Sequence, residues 1–275
     1  MPEARLRACD PNPRGGTRGA RGIAVGDGEI LVANYDTIFR YDASWRLVGA
    51  ISNPQCADIH DIAFCDGRLW VASTRNDRLF QFDLDGNVKD RFDPWDMGFV
   101  QDAFGIARGR SDAAGDLRDP RTHDKSQTDR LHLNSFAFAD DGGLLVSLGQ
   151  VRVNGHCESA IVRFGASGGA DVVHHAAAAP VPAHNVIELP DGTIVHCDTA
   201  NGQVIAIDPA PGNDVKTLLQ TCGGYARGLC VLDDRRLAVG VQNEVWLFDP
   251  VNTGEVRRIR VSDDPRESVH SIVNV

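Results

Sequence analysis

The chain has 275 residues, with 38 acidic against 28 basic groups, a formal charge of −10 and 42% apolar residues. That is enough material for a packed core, and the composition excludes a disordered chain. The negative charge excludes nucleic acid or an anionic membrane surface as the main partner, since both would repel it. No apolar run reaches the roughly 20 residues that cross a bilayer.

Residues 1–20 mix Arg, Pro and Gly without the apolar centre of a signal peptide, and are read as an N-terminal segment that can close a ring. The seven cysteines are an odd number with no CxxC pair, which predicts reduced thiols and a cytoplasmic protein.

From Arg21 onward one pattern recurs: a short apolar strand, a tight Asp/Gly turn, a second strand, then two more. Arg21 opens GIAV, GDGE and ILVAN, followed by TIFRYD and WRLVGAI. His60 opens DIAF, CDGR and LWVAST, followed by RLFQFDL and VKDRF. The stretch 96–129 then interrupts the pattern. It is polar, Gly-rich and without alternation, and reads as a long inserted loop rather than a missing unit. Asn134 opens SFAF, ADDGG and LLVSLG, followed by AIVRFG and ADVVHH; His184 opens NVIEL, PDGT and IVHCDT, followed by VIAIDP and VKTLLQ. Arg227 opens GLCV, LDDR and RLAVGV, followed by EVWLFDP and VRRIRV, and a last copy begins at His270 with SIVNV.

Spacings of roughly 40–50 residues are those of four-stranded propeller blades. The DG turns suit hairpins, and no amphipathic helix is evident. The sequence therefore predicts an all-β propeller domain over 21–275. Six axial positions are favoured, five of them complete blades and the sixth incomplete or completed by the N-terminal segment. The alternative is a five-bladed ring.

In a propeller the first strand of each blade lines the axis. The heads of those strands are Arg21, His60, Asn134, His184, Arg227 and His270, each a polar residue before an apolar run. Three imidazoles at alternate positions suit a divalent metal, Zn(II) or Fe(II), with His60, His184 and His270 as ligands. His132, two residues before Asn134, is a fourth ligand or a proton donor, and Tyr225 stands in the same relation to Arg227. Arg21 and Arg227, with Asn134, are candidates for binding a small anionic molecule. The competing readings are a polar axis that orders water, and arginines that pair with acidic loops. The His156–Cys157 and His196–Cys197 pairs match no zinc-finger spacing, and alternation sends His196 and Cys197 to opposite faces. His174 and His175 read as solvated, and His123 belongs to the inserted loop.

The segments HDIAF, DRLHLNSFAF, AHNVIELPDG and GGYARGLCVL resemble a bacterial β-propeller family with an HLN signature, over roughly 21–275. That resemblance implies a fold and brings no activity. In site chemistry the chain is similar to peptidyl-hydroxyglycine lyase, which implies His60, His184 and His270 as ligands beside Tyr225 and Arg227. It also resembles carotenoid oxygenases, whose four histidines hold iron. The preferred reading is a metal-dependent lyase or hydrolase acting on a small anion. The alternatives are an Fe(II) oxygenase with an all-His site and a non-catalytic propeller that binds a ligand or protein. The residues name no protein partner.

Overall fold

A computed structural model describes residues 19–107, 115–119, 124–208, 212, 214–221, 224–232, 235–252 and 254–275. Among them, twenty strands form five four-stranded antiparallel sheets, each a meander in chain order. The chain divides into two units, Met1–Leu133 and Asn134–Val275.

The first unit carries two blades. Blade 1 is β1 (Gly22–Gly26), β2 (Glu29–Ala33), β3 (Ile38–Asp42) and β4 (Leu47–Ile51); blade 2 is β5 (Ile59–Cys65), β6 (Arg68–Ser73), β7 (Arg78–Phe82) and β8 (Val88–Phe92). Asp27–Gly28 and Asp66–Gly67 turn their hairpins with positive φ at both central residues, the backbone whose twist matches the flanking strands. Leu31, Ile38, Leu69, Val71, Phe80 and Phe82 form the shared core of the two blades. The inner strands pass so closely that a Cβ at Gly26 would sit 2.0 Å from Phe64. The outer strand β8 is largely exposed and reads VKDRF, charges that discourage pairing with another edge.

The second unit carries blade 3 as β9 (Leu133–Phe138), β10 (Leu144–Val153), β11 (His156–Phe164) and β12 (Ala170–Ala176), with Leu133 at the boundary. Blade 4 is β13 (His184–Glu188), β14 (Ile194–Asp198), β15 (Gln203–Ile207) and β16 (Val215–Gln220), and blade 5 is β17 (Ala226–Val231), β18 (Leu237–Val241), β19 (Glu244–Phe248) and β20 (Val256–Arg260). The β10–β11 hairpin runs on to an Asn154–Gly155 turn, further than the repeat suggests. Val195, Val204, Leu237, Val239, Trp246 and Phe248 join blades 4 and 5 in one core.

Two expectations change. The five complete blades match the five-bladed alternative, and the sixth inner strand expected at His270–Val275 is not formed. That segment instead lies beside β17: Val269 N–H donates to the Gln242 carbonyl at 2.7 Å, and a Cβ at Gly228 would be 3.1 Å from the His270 carbonyl carbon. With so few residues it makes no ladder of its own. The inserted stretch is not plain loop either. A 3-10 turn at Pro94–Met97 leads into it, and it holds two short helices, α1 (Phe99–Phe104) and α2 (Lys125–Thr128). Trp95, Val100 and Phe104 are buried, which anchors it. His123 and nearly all of residues 1–20 lie outside the described residues.

Phe80 is 1% exposed at the centre of the first core. Phe80→Ala is expected to lower unfolding free energy by about 3–5 kcal/mol in urea titrations; an unchanged midpoint would refute this packing.

Candidate functional site

At the inner-strand heads of blades 2, 4 and 5 the backbone departs from regular pairing. In blade 2 the register jumps from Ile59–Ser73 to Asp61–Ala72, making His60 the extra residue of a bulge. Blade 4 jumps from His184–Cys197 to Val186–His196 across Asn185, and blade 5 from Arg227–Gly240 to Leu229–Val239 across Gly228. Asp58, His132 and Asn185 hold φ of 53°, 51° and 50°, uncommon for residues with a side chain. Bulges re-aim side chains, as at His60 and His184, and the polar head residues Arg21, His60, His132, Asn134, His184 and Arg227 are all buried.

In the first unit the organising group is Asp58, with no solvent exposure. Arg21 Nη1 lies 2.5 Å from one carboxylate oxygen; Lys125 Nζ and Arg75 Nη2 lie 3.4 and 3.9 Å from the other. Burial alone would raise this carboxyl, but Arg21, His60, Lys125 and Arg75 together hold it well below the usual range. His60 Nδ1 is 2.7 Å from the Asp58 carbonyl oxygen. A carbonyl only accepts, so Nδ1 carries the proton and Nε2 the lone pair. Arg21 Nη1 lies 3.1 Å from that Nε2.

His132 follows the same logic. Its Nδ1 is 3.2 and 3.1 Å from the two oxygens of Asp129, again placing the lone pair on Nε2. Burial opposes ionisation of Asp129, but His132 and Lys125 hold its carboxyl down. The His60 and His132 rings meet edge to face at 5.1 Å between centroids. The loop that carries His132 is tied to Asp77, which accepts the backbone N–H groups of Arg130, Leu131 and Leu133 at 2.7, 3.0 and 3.3 Å. Burial and then the Asp129 charge push the Asp77 carboxyl up, while those three donors pull it back.

In the second unit His184 Nδ1 is 2.9 Å from Thr199 Oγ1, whose hydroxyl donates to the Ala226 carbonyl at 2.9 Å. The hydroxyl proton is therefore spent on Ala226, so Thr199 accepts from His184 Nδ1–H and the lone pair is again on Nε2. Tyr225 stands 6.2 Å from His184 between ring centroids, and Arg227 Cζ 5.9 Å from the Tyr225 ring centroid. Asn134 Nδ2 donates to the Ala183 carbonyl at 2.7 Å.

The predicted residues thus gather as Arg21, His60 and His132 in one unit, and His184, Tyr225 and Arg227 in the other. His132 precedes β9 with a left-handed backbone, so strand alternation does not govern its direction. Arg21 is engaged by Asp58 and His60, the pairing role. The supporting residues Asp58, Asp77, Asp129 and Thr199 went unread. Asp58 and Asp129 carry a faint signal, as D-x-H and D-x-x-H spacings. Away from the strand heads, His156 and His175 each place Nε2 2.6 Å from Glu158 at an exposed edge, while His174 is half-buried.

No protein-family model and no curated protein sequence matches the chain. Solved structures do. Virginiamycin B lyase from Staphylococcus aureus is 12% identical, with 90% of this chain and 71% of that one covered and a TM-score of 0.53. A luciferin-regenerating enzyme is 12% identical over 88% and 76%, with a TM-score of 0.60. Regucalcin from Agrobacterium tumefaciens, a calcium-binding protein, is 14% identical over 88% and 74%, with a TM-score of 0.59. The likeness establishes the propeller fold, and the five sheets are its five blades.

Because its folded-state pKa is depressed, Asp58 contributes stability above its unfolded value of about 3.9, lost as pH falls through the folded value. Asp58→Asn is expected to cost about 3–5 kcal/mol at pH 7. In urea titrations the gap to wild type should narrow below about pH 4; a gap independent of pH would contradict the ion-pair assignment.

Proposed function

We propose that the protein is a metal-dependent enzyme of the lyase or hydrolase type, acting on a small anionic substrate. Its Zn(II) or Fe(II) ion would be held by Nε2 of His60, His132 and His184. The observation that carries this reading is the shared tautomer. A carbonyl, a carboxylate and a hydroxyl each fix Nδ1–H of one imidazole, leaving the lone pair on Nε2, as metal-ligating histidines require. The donor set therefore fits a borderline divalent ion that favours imidazole.

Grouping His184 with the other two rests on the repeat, which gives it the strand-head place of His60. His270 is the further donor by the same reasoning. When bound, the ion supplies a Lewis acid and a lowered pKa for coordinated water.

The remaining steps belong to the chain. Asp129 keeps the His132 ring oriented, and Arg21 shifts from His60 Nε2 onto Asp58 alone when that nitrogen is engaged. Arg227, stacked near Tyr225, anchors the substrate anion, with Asn134 as a polar neighbour in its unit. The Tyr225 phenol moves the proton to or from the reacting group. Enzymes and a calcium-binding protein among structures of similar fold are compatible with this reading but do not choose a reaction.

Protein purified without a histidine tag should contain close to one equivalent of zinc or iron at this centre, and His60→Ala/His184→Ala should lose it. Iron would favour oxygen chemistry over hydrolysis or elimination. Wild type that is metal-free and cannot be reconstituted would sink the proposal and leave a ligand-binding propeller. Once a substrate is identified, Arg227→Ala should raise KM about tenfold to a hundredfold with metal retained; an unchanged KM would remove Arg227 from the anion site.

A further inference from the structure

His196 sits on β14 with 2% exposure, and neither ring nitrogen has a hydrogen-bond partner among the described residues. Two orphaned buried nitrogens cost about 1–3 kcal/mol each, so an aliphatic side chain would serve packing better. The ring lies against His174 of β12, 5.1 Å between centroids and tilted by 46°. Asp198 follows two residues after His196 on β14 and so shares its face, while Cys197, on the opposite face, belongs to the apolar core. The Asp198 side chain is held by Asn201, whose Nδ2 donates at 2.7 Å. All three residues belong to blades 3 and 4 of the second unit.

We propose that His174 and His196 form a second, two-imidazole transition-metal site between blades 3 and 4. Two imidazoles select a first-row ion that prefers nitrogen, such as Zn(II) or Cu(II), over the oxygen-seeking Ca(II) and Mg(II). Burial, then His174, pushes the His196 imidazole down to about 3, opposed by the Cys197 backbone. Burial also lowers His174, against the pull of Asp198. Both rings are therefore in the neutral, ligating form at neutral pH, with no proton to displace. The site shares no residue with the proposed catalytic centre and stands whether or not that centre exists.

The test is equilibrium dialysis of the chelator-stripped full chain against Zn(II), with Cu(II) electron paramagnetic resonance to detect nitrogen ligands. His60→Ala/His132→Ala, which disables the first centre, should still bind one equivalent and show nitrogen hyperfine structure. His174→Ala should weaken that equivalent at least tenfold, and Ca(II) or Mg(II) should not compete for it. Should the double variant fail to fold, His174→Ala in the wild-type background supplies the readout, removing one equivalent from the total. Metal binding unchanged by His174→Ala would overturn the proposal. So would an absence of nitrogen ligands in the folded double variant.

Discussion

A carboxylate with no access to water stays ionised only if positive charge and hydrogen bonds replace its hydration. Asp58 meets that condition by drawing on distant parts of one unit. Arg21 comes from the head of blade 1, Arg75 from the 3-10 turn after β6, and Lys125 from α2 in the inserted stretch. Lys125 also reaches Asp129 at 3.0 Å, so the same cation supports the residue that orients His132. Replacing such a cluster with apolar side chains is often neutral or better for stability, so its value lies in fixed geometry. Asp58 gives His60 its tautomer through the carbonyl and fastens Arg21 through the carboxylate.

The strained strand heads belong to the same construction. Left-handed backbone at Asp58, His132 and Asn185 is unfavourable and persists only where neighbours over-determine it. Three backbone donors converge on Asp77 just around His132, and Asn185 Oδ1 accepts the Gly228 N–H at 2.7 Å, tying the bulge of blade 4 to that of blade 5. Strain, bulge and buried polar side chain coincide at the heads of blades 2 and 4.

The distinction between strand and strand head explains what was legible in the sequence. Blades announce themselves through alternation and DG turns, which are local properties, so all five repeats were readable. The polar heads were readable as breaks in an apolar pattern. The direction of His132 was not, because alternation presumes β backbone and His132 has left it. Asp77 and Thr199 were invisible for another reason: each acts on a partner remote in sequence, and neither residue type nor spacing records that. The tail at His270 matches the repeat over six residues only, which cannot supply the other strands of a blade.

The number of histidines is a poor guide to where chemistry resides. His60, His132 and His184 have Nδ1 bound to an acceptor, so the protein has already decided which nitrogen presents a lone pair. His156 and His175 each donate Nε2–H to Glu158 at the exposed edge of blade 3, where hydration competes and the pair contributes little. His196 is the opposite extreme, buried with neither nitrogen bonded among the described residues. A fixed tautomer presents a defined lone pair in advance of any ligand. An orphaned imidazole leaves its polar requirement unmet, so the cost falls on the unliganded native state, and any ligand that satisfies it stabilises the fold only by the amount its native-state affinity dictates.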